Sequence, residues 1–304
     1  MSKSFLLAAL LVSTTCFAED NEAKLKVIAS IPDFADMARE IGGVHVEVES
    51  LAHGTEDSHG VPVRPSMAAK VAQADVVIEM GLNMEHAWLP PLIDTANNAK
   101  LRGGGLIKAS EGETILEIPE NLSRTEGEQH SEGNPHVNLD PGAGRILAKN
   151  ICAGLSSNAP QFKKDFEENL AKYLQKLDAK EKEWKAAGAK LKGVKFVSFH
   201  NHWAYWARYF EMEYVGTLEP KPGIPPSGSH LAKLIQLMKA QGVKLVVREP
   251  QFSDKIPNEV AEKVGGKVVK LAIMVNGLPE AKTWIEMIDA NLKAMLEAVD
   301  DGGK

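Results

Sequence analysis

Residues 160–190, PQFKKDFEENLAKYLQKLDAKEKEWKAAGAK, form a long charged stretch in the middle of the chain. Its apolar residues recur at steps of three, four or seven and fall on one stripe of an α-helix: Phe162, Phe166, Leu170, Tyr173, Leu177 and Trp184. At 1.5 Å per residue, about thirty residues span roughly 45 Å, the height of two small domains. An ordinary amphipathic surface helix has the same pattern. Alternating strand-like and helix-like segments lie on both sides of this stretch. They favour a rigid connecting helix over residues 159–191.

The sequence on each side of this stretch alternates strand-like and helix-like segments. The predicted strands cover residues 25–31, 44–48, 75–80, 106–107, 194–199, 214–218, 243–247 and 268–271. Strands that alternate with helices indicate parallel sheets covered on both faces. The expected fold class is therefore α/β. It has two lobes, residues 24–155 and 192–304, each a roughly four-stranded parallel sheet flanked by helices, joined by one long backbone helix.

Length, composition and charge fit an ordinary globular protein. The 304 residues suffice for two domains, and contents of 44% hydrophobic and 25% charged residues argue against disorder. The net charge of −6 comes with no basic patch. We therefore expect no nucleic-acid partner.

The first eighteen residues are typical of a secretory signal peptide. Lys3 supplies the positive end, residues 5–12 the short apolar core, and Cys16 to Ala18 a small-x-small cleavage site. The apolar run is too short to span a bilayer. Cys16 offers the alternative of a lipoprotein anchor, but the residues before it lack the small residue usual at that place. We expect cleavage after Ala18, hence a periplasmic protein.

Three of the nine histidines lie where a parallel sheet binds ligands. His59 follows the second predicted strand, His136 lies in the loop after the fourth, and His200 ends the fifth. Ligands bind outside the carboxyl ends of parallel strands, so these side chains can converge between the lobes. Three neutral imidazoles with an open or fourth position are an ordinary zinc set. An isolated loop histidine is more often solvated, and position alone does not establish three ligands.

The other histidines are weaker candidates: His45, His53, His86, His130, His202 and His230. His202 lies two residues after His200, so on a strand the two share a face. At a strand-to-helix turn they need not.

Several motifs together resemble the binding proteins of bacterial zinc and manganese ABC importers, the ZnuA/TroA type, also called cluster A-I solute-binding proteins. Residues 134–141, NPHVNLDP, resemble the family's NPH or DPH-V-W-L-D-P signature. Further segments that match the family are spread along nearly the whole mature chain. They are residues 57–59 with 65–66, 81–89, 199–205, 226–227 and 249–253.

This resemblance implies a metal held between two lobes, with His59, His136 and His200 matching the three histidine ligands. It also implies a membrane ABC permease as the partner. Because three imidazoles suit zinc better than manganese, we expect Zn²⁺ as the transported ligand and a monomeric receptor. A receptor for Mn²⁺ or Fe²⁺ is the alternative on the same scaffold.

Two departures from the family concern the rest of the site. Ala272 stands where members often carry an acidic ligand, and His130 alone represents their histidine-rich loop. The fourth position therefore stays open to water or to a carboxylate such as Glu249. Glu249 can equally be a structural ion-pair partner at a strand end.

Three functions are compatible with these features. A metal-capture protein needs neither nucleophile nor catalytic base, and the sequence offers neither. A zinc hydrolase can use three histidines with an open position, but no H-E-x-x-H occurs. A surface adhesin on the same scaffold is the third. We expect a binding protein and no enzyme.

Overall fold

The computed structural model describes residues 23–121 and 130–300. The predicted signal peptide, residues 1–18 with Cys16, lies outside the described residues. Within the described ranges, eight strands form two parallel four-stranded sheets, β2-β1-β3-β4 and β6-β5-β7-β8. The strands are β1 Leu25–Ala29, β2 Val46–Ser50, β3 Val76–Glu79, β4 Leu106–Lys108, β5 Lys195–Ser198, β6 Glu213–Thr217, β7 Leu245–Arg248 and β8 Lys267–Lys270. The predicted fold class is confirmed.

Helices connect the strands, because parallel strands need crossover connections. They are α1 Pro32–Gly42, α2 Pro65–Gln73, α3 Leu89–Ala96, α4 Gly144–Asn158, α5 Lys163–Gly188, α6 Ala204–Tyr209, α7 Gly228–Gln241, α8 Lys255–Val264 and α9 Trp284–Asp300. Residues before Leu89 form turns, and prolines occupy the first turn of α3, where the missing N–H costs nothing.

The connecting stretch is helical, as its periodicity predicts. Helix α5 has 26 residues and is flanked by the short turns Pro160–Phe162 and Ala189–Leu191. The predicted stripe faces the core, with five of its members buried and Leu170 partly buried. On the outer side, Lys176 pairs with Glu40 of α1 at 2.6 Å, and Lys180 pairs with Asp289 of α9 at 2.9 Å. Helix α5 is therefore attached to both lobes.

Polar contacts that are buried or partly buried also join the lobes directly. The backbone N–H of Trp284 donates to Asp36 at 2.8 Å, and the Trp284 indole donates to the carbonyl of Asn138 at 2.8 Å. The backbones also meet: a Cβ at Gly54 would lie 2.2 Å from the carbonyl oxygen of Val275. Only glycine permits this approach. The lobes therefore form a closely fitted pair.

The carboxyl ends of the strands carry the polar loops that matter for function. His59 follows β2, and His136 precedes α4. His200, Glu219 and Glu249 follow β5, β6 and β7. Among the described residues, no helix combines the length and apolar character that crossing a bilayer requires.

Candidate metal centre

Four imidazoles meet between the lobes. His59, His136, His200 and His202 each offer a ring nitrogen, and these four atoms lie within 4.8 Å of one another. All four side chains are buried. The structure thus brings together the three histidines singled out from the sequence and adds His202. We call this group the histidine cage.

The N-terminal lobe supplies two members of the cage from loops. His59 lies in the loop between β2 and α2, where its backbone N–H donates to Asp57 at 3.0 Å. His136 opens the short turn Val137–Leu139, and its backbone N–H donates to the side chain of Asn134 at 3.0 Å. The two Nε2 atoms are 2.9 Å apart.

The C-terminal lobe supplies the other two from one tight turn at the end of β5. The N–H of His202 donates to the carbonyl of His200 at 2.9 Å, closing a three-residue turn. The hydroxyls of Ser198 and Tyr214 donate to the same carbonyl at 2.5 and 3.0 Å. The turn places both rings on one side, with centroids 4.4 Å apart.

The spacing of the cage suits a small four-coordinate ion. Zinc lies about 2.0–2.1 Å from imidazole nitrogen, so the nitrogens of a tetrahedral site are roughly 3.3 Å apart. The cage has one separation of 2.9 Å and none above 4.8 Å. The 2.9 Å separation and the 4.8 Å upper limit bracket the spacing of a tetrahedral zinc site.

Hydrogen bonds on the outer nitrogens fix which nitrogen faces the cage. The Nδ1 of His200 lies 2.7 Å from Glu219, and the Nδ1 of His202 lies 3.3 Å from Glu249. The Nδ1 of His136 lies 2.8 Å from the Asn134 side-chain oxygen. These oxygens accept, so each Nδ1 carries the hydrogen and each Nε2 presents its lone pair inward. The Nε2 of His202 has no hydrogen-bond partner among the described residues.

Burial keeps most of the cage neutral. Burial, helped by the charge of neighbouring imidazoles, holds the pKa of His59, His136 and His202 well below 6.5. Burial alone would lower the pKa of His200, but the hydrogen bond and charge of Glu219 outweigh it and raise that pKa above 6.5. Neutral imidazole is the form that binds metal.

Glu249 stands behind the cage, whereas the sequence left it open as a fourth ligand. One of its oxygens accepts from the Trp203 indole at 2.8 Å and faces His202. The residue is fully buried, and burial raises the pKa of its carboxyl to about 8. The sequence offers water or this carboxylate as the fourth ligand, whereas the structure places the His202 imidazole as the fourth member of the cage. The i, i+2 spacing of His200 and His202 fits both a strand and a turn, so the sequence alone does not place His202 in the cage.

Ala272 lies outside the histidine cage. It is fully buried. Its backbone N–H and carbonyl both bond to the side chain of Asn291, each at 2.8 Å. The local role of this turn is to pack against α9.

The remaining histidines have other surroundings. His130 stacks on His59 at the edge of the cage, with ring centroids 4.9 Å apart, and its Nδ1 lies 3.0 Å from the Asn83 carbonyl. His86 is exposed and bonds to the same carbonyl. His45 is stacked on Phe162 and paired with Asp165, His53 contacts Arg64, and His230 contacts the Thr217 carbonyl.

A cavity of about 520 Å³ opens beside the cage, with His136 and His200 in its wall. Glu117 lies at its rim and accepts hydrogen bonds from Asn134 at 2.8 Å and from Asn201 at 2.7 Å. This carboxylate therefore joins the two lobes at the mouth of the site. The cavity therefore adjoins two of the four cage histidines.

Residues 27–298 match the family ZnuA, described as zinc-uptake complex component A, periplasmic. The zinc-binding lipoprotein AdcA of Streptococcus pneumoniae serotype 4 is 27% identical over 317 residues, covering 100% of this chain and 62% of AdcA. The chain thus spans about six tenths of that relative. The manganese ABC transporter substrate-binding lipoprotein PsaA of Streptococcus pneumoniae is 24% identical over 307 residues, covering 98% of this chain and 96% of PsaA.

Solved structures share the fold. A crystal structure of ZnuA has a TM-score of 0.78 and 27% identity, covering 90% of this chain and 99% of that one. A zinc-bound deletion mutant of ZnuA has a TM-score of 0.77 and 28% identity, with 90% and 98% covered. The Mn-bound periplasmic metal-binding protein of Candidatus Liberibacter asiaticus, at 22% identity and a TM-score of 0.76 with 90% and 99% covered, agrees in fold.

Proposed function

Because this chain belongs to the ZnuA family of periplasmic zinc-uptake components, we propose that it is an extracytoplasmic solute-binding protein. It captures a divalent metal, Zn²⁺, between its two lobes and delivers it to a membrane ABC permease. Zinc is here the transported ligand. One observation carries the proposal: four buried imidazoles that converge within 4.8 Å.

The chemistry of the cage supports zinc as the cargo. Imidazole suits zinc, whereas manganese favours oxygen ligands, and the general affinity order places Zn²⁺ above Mn²⁺ and Fe²⁺. His59, His136, His200 and His202 would hold the ion through four nitrogens. The manganese transporter relative PsaA keeps Mn²⁺ as the alternative cargo.

The completeness of the cage supports capture over catalysis. Structural zinc sites have four protein ligands, whereas catalytic sites keep one position for water. Glu219 and Glu249 face the outer nitrogens of His200 and His202, away from the place where a bound water would need a base. A zinc hydrolase is therefore the weaker hypothesis, and we propose a protein without enzymatic activity.

The sequence supports a particular organisation of this receptor. A signal peptide of residues 1–18 directs export, and the mature protein works as a periplasmic monomer. Its parts are an N-terminal lobe of residues 24–155, a connecting helix of 159–191 and a C-terminal lobe of 192–304. A lipid anchor at Cys16 is the alternative route to the same compartment.

Metal analysis and a titration test the proposal together. Protein purified from the periplasm should contain close to one zinc per chain. After metal removal, it should take up one equivalent of zinc, measured against a chromophoric chelator. The loaded protein should show no hydrolysis of ester, peptide or phosphate substrates. A native content of manganese, or turnover that needs zinc, would contradict the proposal.

A further inference from the structure

The two imidazoles of the C-terminal lobe are each bonded to a buried carboxylate. His200 bonds to Glu219 at 2.7 Å, and His202 faces Glu249 at 3.3 Å. All four residues are buried, and Trp203 holds the Glu249 carboxylate through its indole N–H at 2.8 Å. This half of the cage therefore contains two carboxylates one hydrogen bond away from the ligand histidines.

The two imidazoles of the N-terminal lobe are bonded to neutral groups. His136 bonds to the Asn134 side-chain amide at 2.8 Å, and the His59 ring makes a hydrogen bond with the backbone of Met84. The nearby carboxylate of Asp57 accepts from the backbone N–H of His59 and is partly exposed, so solvent screens its charge. Each lobe thus supplies two histidines, but only those of the C-terminal lobe have buried carboxyl groups as hydrogen-bond partners.

This inequality affects how strongly each half attracts a dication. A carboxylate that accepts the Nδ1–H of a ligand histidine makes the other nitrogen a stronger donor. It also brings negative charge close to an ion that must leave water, and burial leaves that attraction nearly unscreened. Glu219 supplies such a charge, and Glu249, whose buried carboxyl has a pKa of about 8, supplies a second one when the nearby dication stabilises its ionised form. The double charge of the ion is therefore offset although its ligands are neutral.

Building on the proposed function, we infer that His200 and His202, with Glu219 and Glu249 behind them, form the half of the cage that takes up metal first and retains it last. His59 and His136 complete the cage afterwards and let go first. Glu219 and Glu249 act through the histidines as positioning residues. They set the affinity for a doubly charged ion, and the ion leaves from the C-terminal lobe.

Two matched double variants test the order. H59A/H136A keeps the C-terminal half, and H200A/H202A keeps the N-terminal half. We expect H59A/H136A to bind one zinc at reduced affinity, and H200A/H202A to bind at least about 100-fold more weakly than H59A/H136A, since outer partners alone change metal affinity by roughly 10–100-fold. Equal affinities, or tighter binding by the N-terminal half, would overturn the inference. Circular dichroism and melting of the metal-free proteins establish that both variants fold.

Glutamine substitutions in the complete cage decide the matter if a double variant fails to fold. E219Q and E249Q keep an oxygen that accepts the Nδ1–H and remove the charge that each carboxyl carries in the metal-loaded cage. Each should speed zinc transfer to a chelator by about 10–100-fold, while the Co²⁺-loaded forms keep the visible absorption of a four-coordinate site. E85Q is the control, because Glu85 is equally buried but bonds to Ser30 and Met80. Unchanged transfer rates in both cage variants would overturn the inference. A wild-type protein that binds no zinc would instead overturn the proposed function.

Discussion

The carboxylate of Asp33 in the N-terminal lobe accepts a hydrogen bond of 3.0 Å from the backbone N–H of Val275 in the C-terminal lobe. Its other oxygen accepts from the side chain of Asn138 at 3.0 Å, which also donates to the Ile273 carbonyl at 2.8 Å. One fully buried acid thus fastens two segments that are 242 residues apart in sequence. The relation of the lobes is therefore a packed interface as well as a shared helix.

We predict that the lobes move little when metal is removed. Receptors with flexible hinges close widely around their ligands. Here the continuous helix α5, with no proline inside it, is ion-paired to both lobes, and bending a packed helix needs a specific defect. The radius of gyration from solution scattering should change little between metal-free and zinc-loaded protein. A large contraction on adding zinc would contradict the prediction.

We predict that Asp33→Asn changes the pH profile of stability. Burial raises the pKa of Asp33 from 3.8 to about 7. Between these two pH values the folded protein keeps a proton on Asp33 that the unfolded chain releases. The free energy of unfolding therefore falls as the pH rises from about 4 to about 7. A pKa change of this size corresponds to about 4 kcal/mol of unfolding free energy. Asparagine cannot ionise, so this part of the slope should vanish. Denaturant unfolding from pH 4 to 8 measures it.

A second acid provides the control for Asp33. Burial raises the pKa of Asp36 to about 6, so Asp36→Asn should remove the slope only between about pH 4 and 6. The amide introduced by Asp33→Asn also turns an NH₂ group toward a donor, which costs about 1–3 kcal/mol. The Asp33 variant should therefore be less stable than wild type at pH 4 and recover relative to it by pH 8. Parallel profiles for all three proteins would rule out this role of Asp33.

We predict that all four histidines of the cage contribute to zinc affinity. Alanine at His59, His136, His200 or His202 removes one nitrogen, and the loss should exceed the roughly 10–100-fold cost of removing an outer partner. Alanine at His230, which bonds to the Thr217 carbonyl, should leave affinity unchanged. Competition with a chelator measures each variant. If His202→Ala binds zinc as tightly as the wild-type protein, His202 is not a ligand and the fourth ligand is water.

We predict a strong preference for zinc over manganese. Four imidazoles offer no oxygen ligand to Mn²⁺, and the affinity order favours Zn²⁺ at nitrogen sites. With both metals present at equal concentration, the protein should hold zinc alone, as measured by elemental analysis after desalting. Preferential loading with Mn²⁺, or tightest binding of another transition metal, would leave only the general assignment of a metal receptor.

We predict that zinc affinity falls as pH drops, beginning above the ordinary titration range of histidine. Glu219 raises the pKa of His200 above 6.5, and protonated His200 cannot bind metal. The other three imidazoles have pKa values well below 6.5 and stay neutral in this window. Glu219→Gln should shift the midpoint to lower pH, because it removes the group that stabilises the protonated ring. An unshifted midpoint would contradict this account.

Regular features of the fold follow from local patterns, which is why the sequence predicts them. The stripe from Phe162 to Trp184 has the period of a helix, and apolar strands bounded by turn residues predict both sheets. The placement of His59, His136 and His200 follows from a general property of parallel sheets, that their carboxyl ends meet at one edge.

Features that depend on tertiary geometry escaped prediction. His202 joins the cage because a hydrogen bond to the His200 carbonyl closes a tight turn, and spacing cannot distinguish that turn from an open one. Glu219 lies behind His200 only because β6 pairs with β5. The bond from Val275 to Asp33 depends on how the lobes dock.

The two sheets have the same strand order, β2-β1-β3-β4 and β6-β5-β7-β8. The chain therefore lays out one topology twice, and two sets of strand-end loops can supply ligands to a single cleft. The cage draws on only some of these loops, and the loop after β8, with Ala272, takes no part. A ligand lost from one loop can thus be replaced from another while both sheets stay as they are. In this architecture, metal selectivity can evolve independently of the scaffold.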